Sequence, residues 1–364
     1  MERVYGVGVV GYGGYGSFLV RCWKGLSRVR VVAIAGRNPM GVRAAAEELG
    51  VERHYVGHQQ LIDDPDIEIV AVATPPFTHA EIGVLAAQAG KHIYCEKPMA
   101  IAMADAVRLA EAANHHGVRL CMGFVMRYHP TFARLKRIVE RGLLGDLHRI
   151  DFANFAADEC LPPNHWFWDR TRSGGILVEH GVHFFDVYSW LTGAPVARVT
   201  GHKTVRPGTS QEDRVLATVE YGNGVLATFY HAFDKPALLE RTWCTLAFDR
   251  GYVHVHGWVP TYLELEAGLE PGQLGELEAV LPGLEVLERA EPGADGSLAR
   301  GGGNEYKLDA LVRCRFREGE KQALYAQCVR DSMADLLQAI DDPAHRVRAG
   351  APEGLRSLEM ALSI

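Results

Sequence analysis

Two clusters of side chains in this 364-residue sequence have the types and spacing to move a proton. In the first, Glu96-Lys97-Pro98 follows an apolar run from Lys91 to Cys95. If that run is a parallel strand, Lys97 stands at its carboxyl end, where open α/β sheets bind ligands. Pro98 biases Lys97 toward an extended backbone, which aims its side chain outward. A lysine so placed can donate to a substrate oxygen, although a solvated loop lysine looks the same from sequence. The second cluster is Glu179, His183 and Asp186, spaced i, i+4 and i+7 so that a helix would put them on one face. A carboxylate one turn from a histidine orients the ring and favours its charged form, as a general base for a hydroxyl requires. An ordinary polar helix face satisfies the same pattern. No metal is expected, since only two or three ligands are evident.

A third motif points to the reaction partner. Gly11-Tyr12-Gly13-Gly14-Tyr15-Gly16 is G-x-G-x-x-G, directly after the apolar run Gly6 to Val10 and directly before a helical pattern. Gly11 makes the tight turn, Gly13 admits a pyrophosphate to the backbone, and Gly16 lets the helix pack close. The phosphates then face the free N–H groups of that helix. An NAD site wants an acid about twenty residues on, to hold the ribose 2′-hydroxyl. That count from Gly16 lands on Gly36, followed by Arg37 and Asn38, and no Asp or Glu occurs between residues 4 and 46. A guanidinium suits a 2′-phosphate, so NADP is the expected cofactor, with NAD the second choice.

The elements that must position these groups change in texture near Phe124. Before it, strand runs (Arg3 to Val10, Val29 to Ala35, Ile67 to Ala73, Lys91 to Cys95) alternate with helical stretches (Tyr15 to Lys24, Gly41 to Leu49, Thr78 to Ala89, Ala102 to His115). That alternation predicts a doubly wound parallel sheet. After it come a helix (Pro130 to Arg141), a strand (His148 to Ala156), a Trp/Pro-rich loop (Leu161 to Thr171) and a helix (Ile176 to Leu191). Five strand-like runs then follow between Val196 and Trp258, with a hairpin signal at Tyr221-Gly222-Asn223-Gly224. Gly293 to Asn304 reads as a mobile loop, and helices return at Ala323 to Ile340 and Pro352 to Leu362. The expected division is 1–124 and 125–364. The fold class is α/β: a Rossmann sheet, then an α+β domain.

Composition sets the setting. Hydrophobic residues are 48% and charged residues 23%, as in ordinary globular proteins. The net charge of −7 offers no basic stripe for nucleic acid or an anionic membrane. Thr261 to Ser297 holds nine acids and one base and reads as a solvated insertion. Seven cysteines, an odd number without a CxxC pair, fit a reducing cytoplasm better than a disulfide framework. No apolar run is long enough for a membrane span.

Taken together, these motifs resemble the glucose–fructose oxidoreductase / inositol dehydrogenase / rhizopine-catabolism (Gfo/Idh/MocA) family. The resemblance rests on Gly11 to Gly16, Ala73-Thr74-Pro75-Pro76 with Thr78-His79, and Gly90 to Pro98. It continues through Arg127-Tyr128-His129-Pro130, Gly142 to Gly145, Ser173-Gly174-Gly175, and Gly181-Val182-His183 with Asp186. It implies that the second domain is built on an open, mostly antiparallel sheet through which a homodimer or homotetramer forms. It also implies Lys97 and His183 in the active site and the nicotinamide near Thr74-Pro75-Pro76, with His79 and Glu96 beside the cofactor. One departure is Glu179, one methylene longer than the aspartate the family usually has there.

The expected activity is hydride transfer between NADP(H) and a secondary alcohol or ketone of a sugar, cyclitol or related polyol. His183 takes the hydroxyl proton and Lys97 hydrogen-bonds the oxygen, with Glu179 holding the site. The loop Asn164, His165, Trp166, Trp168 and Asp169 is a candidate for sugar contacts, and ordinary packing is its alternative. Arg127, Asp186 and His231 are further substrate candidates. The rivals are a non-catalytic dinucleotide-binding regulator and a lyase or glycosidase using tightly held NAD for transient oxidation.

Overall fold

The chain is described by a computed structural model that covers residues 2–292 and 298–364. Six short runs become strands of one parallel sheet, whose central members carry β-branched residues on both faces, as suits a sheet covered on both sides. They are β1 (Tyr5–Val10), β2 (Val29–Gly36), β3 (Arg53–Val56), β4 (Ile69–Val72), β5 (His92–Cys95) and β6 (Leu120–Met122). Their order is β3-β2-β1-β4-β5-β6, all pairs parallel, which is the doubly wound dinucleotide-binding order. Every residue of β1 and β4 is buried. The connecting helices are α1 (Gly14–Trp23), α2 (Pro39–Leu49), α3 (Gln59–Asp63), α4 (His79–Gln88) and α5 (Met103–His115).

The sequence reading missed β3 and β6. The first is a four-residue edge strand of alternating exposure, and the second has only three residues, so neither carries a long apolar run.

The compact unit around this sheet takes in the chain up to Tyr128, with Pro163–Asp186 and Ala326–Ser363. A single cut after residue 124 therefore leaves out two returning segments. Tertiary hydrogen bonds explain one return. The Trp23 indole donates to the Val329 carbonyl at 3.2 Å, Tyr128 donates to Asp335 at 2.8 Å, and Tyr5 donates to Asp341 at 2.5 Å.

The second unit holds His129–Pro162 and Val187–Tyr325. It contains α6 (Pro130–Glu140), β7 (Leu147–Ala157), β8 (Val196–Val205), β9 (Glu212–Tyr221), β10 (Leu226–Lys235), β11 (Arg241–Phe248), β12 (Gly251–His256) and β13 (Tyr262–Leu269). Beyond these lie β14 (Glu285–Ala290), the hairpin β15 (Leu298–Gly301) and β16 (Asn304–Lys307), and β17 (Ala310–Arg317). The nine-stranded sheet runs β14-β17-β13-β12-β11-β7-β10-β9-β8, antiparallel except for the parallel pair β7 and β10. Alternation buries Cys244, Leu246 and Phe248 of β11 on one face and leaves Trp243 on the other.

Two expectations change here. The acidic stretch is not simply a solvated insertion: β13 lies inside the sheet, with Leu263 and Leu265 buried and Glu264 paired to Arg315 at 2.7 Å. Alternating acids mark its outer face. The expected mobile loop is also partly the β15–β16 hairpin, turning at Gly302 and Gly303 with positive φ; residues 293–297 of that loop lie outside the described residues.

Among the described residues, no helix is long and apolar enough to cross a membrane, and no three or more His, Cys, Asp or Glu are grouped to hold a metal ion. All seven cysteines are free thiols, and Cys160 alone is exposed.

Candidate active site

The glycine turn leaves a cradle open above α1. Gly11 has φ +104°, and a Cβ there would lie 2.4 Å from the Ala73 carbonyl oxygen. A Cβ on Gly16 would lie 1.9 Å from the Gly11 carbonyl oxygen, so both positions are closed by the fold itself. Gly13 and Gly14 differ, since a Cβ on either would meet nothing within 4 Å. Gly13 is also the N-cap of α1 and supplies no side-chain acceptor for the helix's first N–H groups. Free donors, a positive helix end and clear space above them fit the pyrophosphate of a dinucleotide.

The next turn along the same sheet edge is tied to the lysine loop. Thr78 Oγ1 donates to Thr74 Oγ1 at 2.7 Å, closing the turn that contains Pro75 and Pro76. His79 is buried, with Nδ1 2.7 Å from the Pro98 carbonyl oxygen and Nε2 2.7 Å from that of Thr74. Burial lowers its pKa, against the pull of the two carbonyls. His79 was expected to touch the cofactor. Each ring nitrogen faces a backbone oxygen, and the neutral ring donates its one N–H to one of the two.

Lys97 follows β5 through a buried Glu96, and its peptide bond to Pro98 is cis. Its ammonium donates to the Glu179 carbonyl oxygen at 2.7 Å and to Glu179 Oε1 at 2.8 Å. Burial pushes the Glu96 carboxyl up to about 8, with Lys97 and the Tyr15 hydroxyl pulling the other way. Gly123 makes room for that carboxyl, since a Cβ there would lie 2.4 Å from Glu96 Oε1. His180 is pressed down to about 3 by burial, with the Lys97 charge adding to it. Neither His180 nor Gly123 was singled out by sequence. His180 could have been noticed three residues before His183, whereas nothing in the sequence marks Gly123.

The helix carrying Glu179 and His183 is not continuous. Leu177–Gly181 forms a π-helical turn, and a regular helix, α8 (Val182–Thr192), follows. Residue 179 lies in the π-helical turn and residue 183 in α8, so the expected spacing does not run along one continuous α-helix. The Glu179 carboxylate is engaged by Lys97. His183 is buried edge-to-face against Phe124 and His180, with ring centroids 6.3 and 6.4 Å away.

The loop before that turn packs beside the Pro75-Pro76 turn. Arg172, on the short helix α7 (Arg170–Ser173), lies 5.2 Å over the Phe77 ring. His165 accepts from the Phe167 N–H at 3.3 Å, and its ring lies 5.2 Å from that of Trp166. Burial lowers the His165 pKa, while the charge of Glu179 raises it.

Models of known families match both parts of the chain. Residues 5–124 match "Oxidoreductase family, NAD-binding Rossmann fold", and residues 132–254 match the GFO/IDH/MocA C-terminal domain. The chain belongs to the Gfo/Idh/MocA oxidoreductase family. The myo-inositol 2-dehydrogenase of Thermotoga maritima is 33% identical over 194 residues, covering 53% of this chain and 56% of that protein. The levoglucosan dehydrogenase of Pseudarthrobacter phenanthrenivorans is 33% identical over 199 residues, covering 52% of this chain and 50% of that protein. Each match thus spans about half of the relative. A levoglucosan dehydrogenase structure, in complex with NADH and L-sorbose, aligns with TM-score 0.79 and 19% identity over 100% of this chain and 96% of that one.

Within this family framework, three substrate candidates are placed where their polar atoms are spoken for or shut in. Arg127 Nε and Nη2 donate to the two carboxylate oxygens of Asp186 at 2.7 and 2.8 Å, and Arg127 Nη1 donates to the Arg348 carbonyl at 3.1 Å. Both side chains are buried. Burial raises Asp186 to about 6, with Arg127 opposing. A planar fork meeting a carboxylate in this way ties the two segments together. His231, in the second unit, is fully buried with its ring 5.2 Å from that of Phe152.

Proposed function

We propose that this chain is an NADP(H)-preferring oxidoreductase acting on a secondary alcohol, or the matching ketone, of a sugar, cyclitol or related polyol. The observation that carries the reading is the Lys97–Glu179 ion pair at the carboxyl end of β5, with side chains 15% and 16% exposed. It lies on the parallel sheet that carries the open glycine cradle. Gly13, Gly14 and the first N–H groups of α1 would hold the dinucleotide phosphates, and Arg37 the 2′-phosphate. A bound nicotinamide ring supplies the acceptor or donor of the hydride.

The side chains do the remaining chemistry. In oxidation, the substrate hydroxyl gives its proton to a ring nitrogen of neutral His183 as the C–H bond breaks. Lys97 donates a hydrogen bond to the same oxygen while negative charge builds on it, and this charge-assisted contact is strongest in the transition state. Glu179 holds the ammonium in place through two oxygens. In reduction the proton returns from His183 to the oxygen. His165 and Trp166 are the candidates for binding the sugar's hydroxyls and C–H face.

NADP(H) over NAD(H) is supported by Gly36, which offers no carboxylate, and by Arg37, exposed and with no hydrogen-bond or ion-pair partner among the described residues. Polyol substrates are supported by the names of the inositol and levoglucosan dehydrogenase relatives. The open face of the nine-stranded sheet supports self-association: Trp243 stacks on Phe155 with ring centroids 5.1 Å apart, and Tyr252 and Leu311 are about half exposed. Seven free thiols support a cytoplasmic setting.

The test is a panel of polyols and keto-sugars with NADP and NAD, read as NAD(P)H absorbance. His183→Ala should lower turnover by about 10²–10⁴-fold, the usual worth of a positioned acid–base group. Wild-type oxidation should rise with pH through one ionisation, because only neutral imidazole accepts the proton. An active His183→Ala enzyme with an unchanged pH profile removes the assignment.

A further inference from the structure

Gly36 ends β2, twenty residues after Gly16, where a carboxylate would stand in an NAD site. Its backbone does not require glycine, for Gly36 is absent from the positive-φ glycines. Space is what excludes a side chain. A Cβ built on Gly36 would lie 2.0 Å from Tyr12 Cε1 and 2.4 Å from Cδ1. At the hydroxyl end of the ring, a Cβ on Gly41, in the first turn of α2, would lie 2.5 Å from the Tyr12 hydroxyl oxygen and 3.3 Å from Cζ. Two glycines therefore form a socket for one aromatic ring. Between them the Asn38 side chain caps α2, accepting from the Gly41 N–H at 3.1 Å, and the Tyr12 hydroxyl lies 3.5 Å from the Asn38 carbonyl oxygen. Arg37 leaves this braced turn as an exposed side chain.

We infer that Tyr12 is a specificity-determining residue for the cofactor's ribose. Its ring fills the volume in which a carboxylate for the 2′-hydroxyl would have to begin, and it braces the turn that presents Arg37. The inference rests on the NADP(H) reading above and deepens it. It also makes a claim that reading does not: positions 12 and 36 are coupled, so an acid at 36 works only after the ring is removed.

The experiment measures dissociation constants of NADP⁺ and NAD⁺ by calorimetry on full-length, dinucleotide-free protein. Gly36→Asp alone should weaken both by about tenfold or more, because the ring or the strand end must shift. Tyr12→Ser/Gly36→Asp should bind NAD⁺ about tenfold tighter than Tyr12→Ser alone, the worth of one good charge-assisted hydrogen bond. Equal NAD⁺ gain from Gly36→Asp with or without Tyr12 overturns the inference, and so does no gain in the double variant. A wild type that binds NAD⁺ more tightly than NADP⁺ overturns the NADP(H) reading instead, while the difference between the single and double variants still decides the coupling. Should Gly36→Asp fail to fold, Gly41→Ala probes the other wall. It should weaken NADP⁺ binding several-fold, and Tyr12→Phe/Gly41→Ala should restore it by removing the clashing oxygen. Failure of that rescue overturns the inference.

Discussion

Two ion pairs in the unit around the parallel sheet are made from similar side chains and are built differently. In Lys97–Glu179 the ammonium meets one carboxylate oxygen and one backbone oxygen, and both side chains keep some exposure. Arg127–Asp186 is a two-point fork with side chains 6% and 1% exposed. A flexible ammonium held through one carboxylate oxygen and one carbonyl keeps a donor for a visiting oxygen. A planar guanidinium matched to both carboxylate oxygens has its fork committed. Charge type alone does not tell chemistry from architecture; how many donors are committed, and how dry the site is, does.

The comparison breaks most visibly at the buried pair. Arg127→Met leaves the buried Asp186 carboxyl without its partner and should cost about 3–5 kcal/mol of stability by urea titration, whereas Arg127→Met/Asp186→Leu should recover much of that. If Arg127→Met folds normally but loses substrate affinity, the pair belongs to the site after all. Next in size, Lys97→Met should lower turnover by about 10²-fold with dinucleotide affinity kept and stability changed by about 1 kcal/mol or less. Near wild-type kcat would remove the proposed role.

The third prediction uses Glu96, whose buried carboxyl titrates near 8. In the unfolded chain it titrates near ~4.3, so between those values the folded state holds the extra proton. That contribution to stability is full below the unfolded value and disappears as pH rises through about 8. Glu96→Gln should therefore gain on wild type between pH ~5 and ~9, by about 1–3 kcal/mol at the top of the range. Urea midpoints at three pH values check it; parallel profiles would refute it. Smallest, Glu179→Gln keeps an acceptor for Lys97 but removes the charge, and should lower kcat by about tenfold with KM for the dinucleotide unchanged.

How far the sequence disclosed these roles depended on range. The glycine turn, β1 and Lys97 were legible because strand, turn and helix follow one another within a few residues. Glu179, His183 and Asp186 were read as one face because their spacing is helical; the π-helical turn that contains Glu179 carries no local signal. Arg127 could be seen as a charged residue beside Tyr128, but its partner is 59 residues away. The acids of β13 read as solvation because they were counted with the acids of the whole stretch, although Leu263, Leu265, Ala267 and Leu269 alternate with them as buried positions. The space that Gly123 grants Glu96 and the socket around Tyr12 depend on distances between strand ends and loops, which no periodicity encodes.

His79 has a consequence for motion. From a buried position its two ring nitrogens face the Thr74 and Pro98 carbonyls, and the neutral ring donates its one N–H to one of them. Two loops joined through one rigid ring cannot open independently without stranding a polar group away from water. Amides of the Thr74–Thr78 and Glu96–Met99 segments should therefore exchange with deuterium as one cooperative block, with a shared opening free energy. His79→Ala should split that block into two exchange rates.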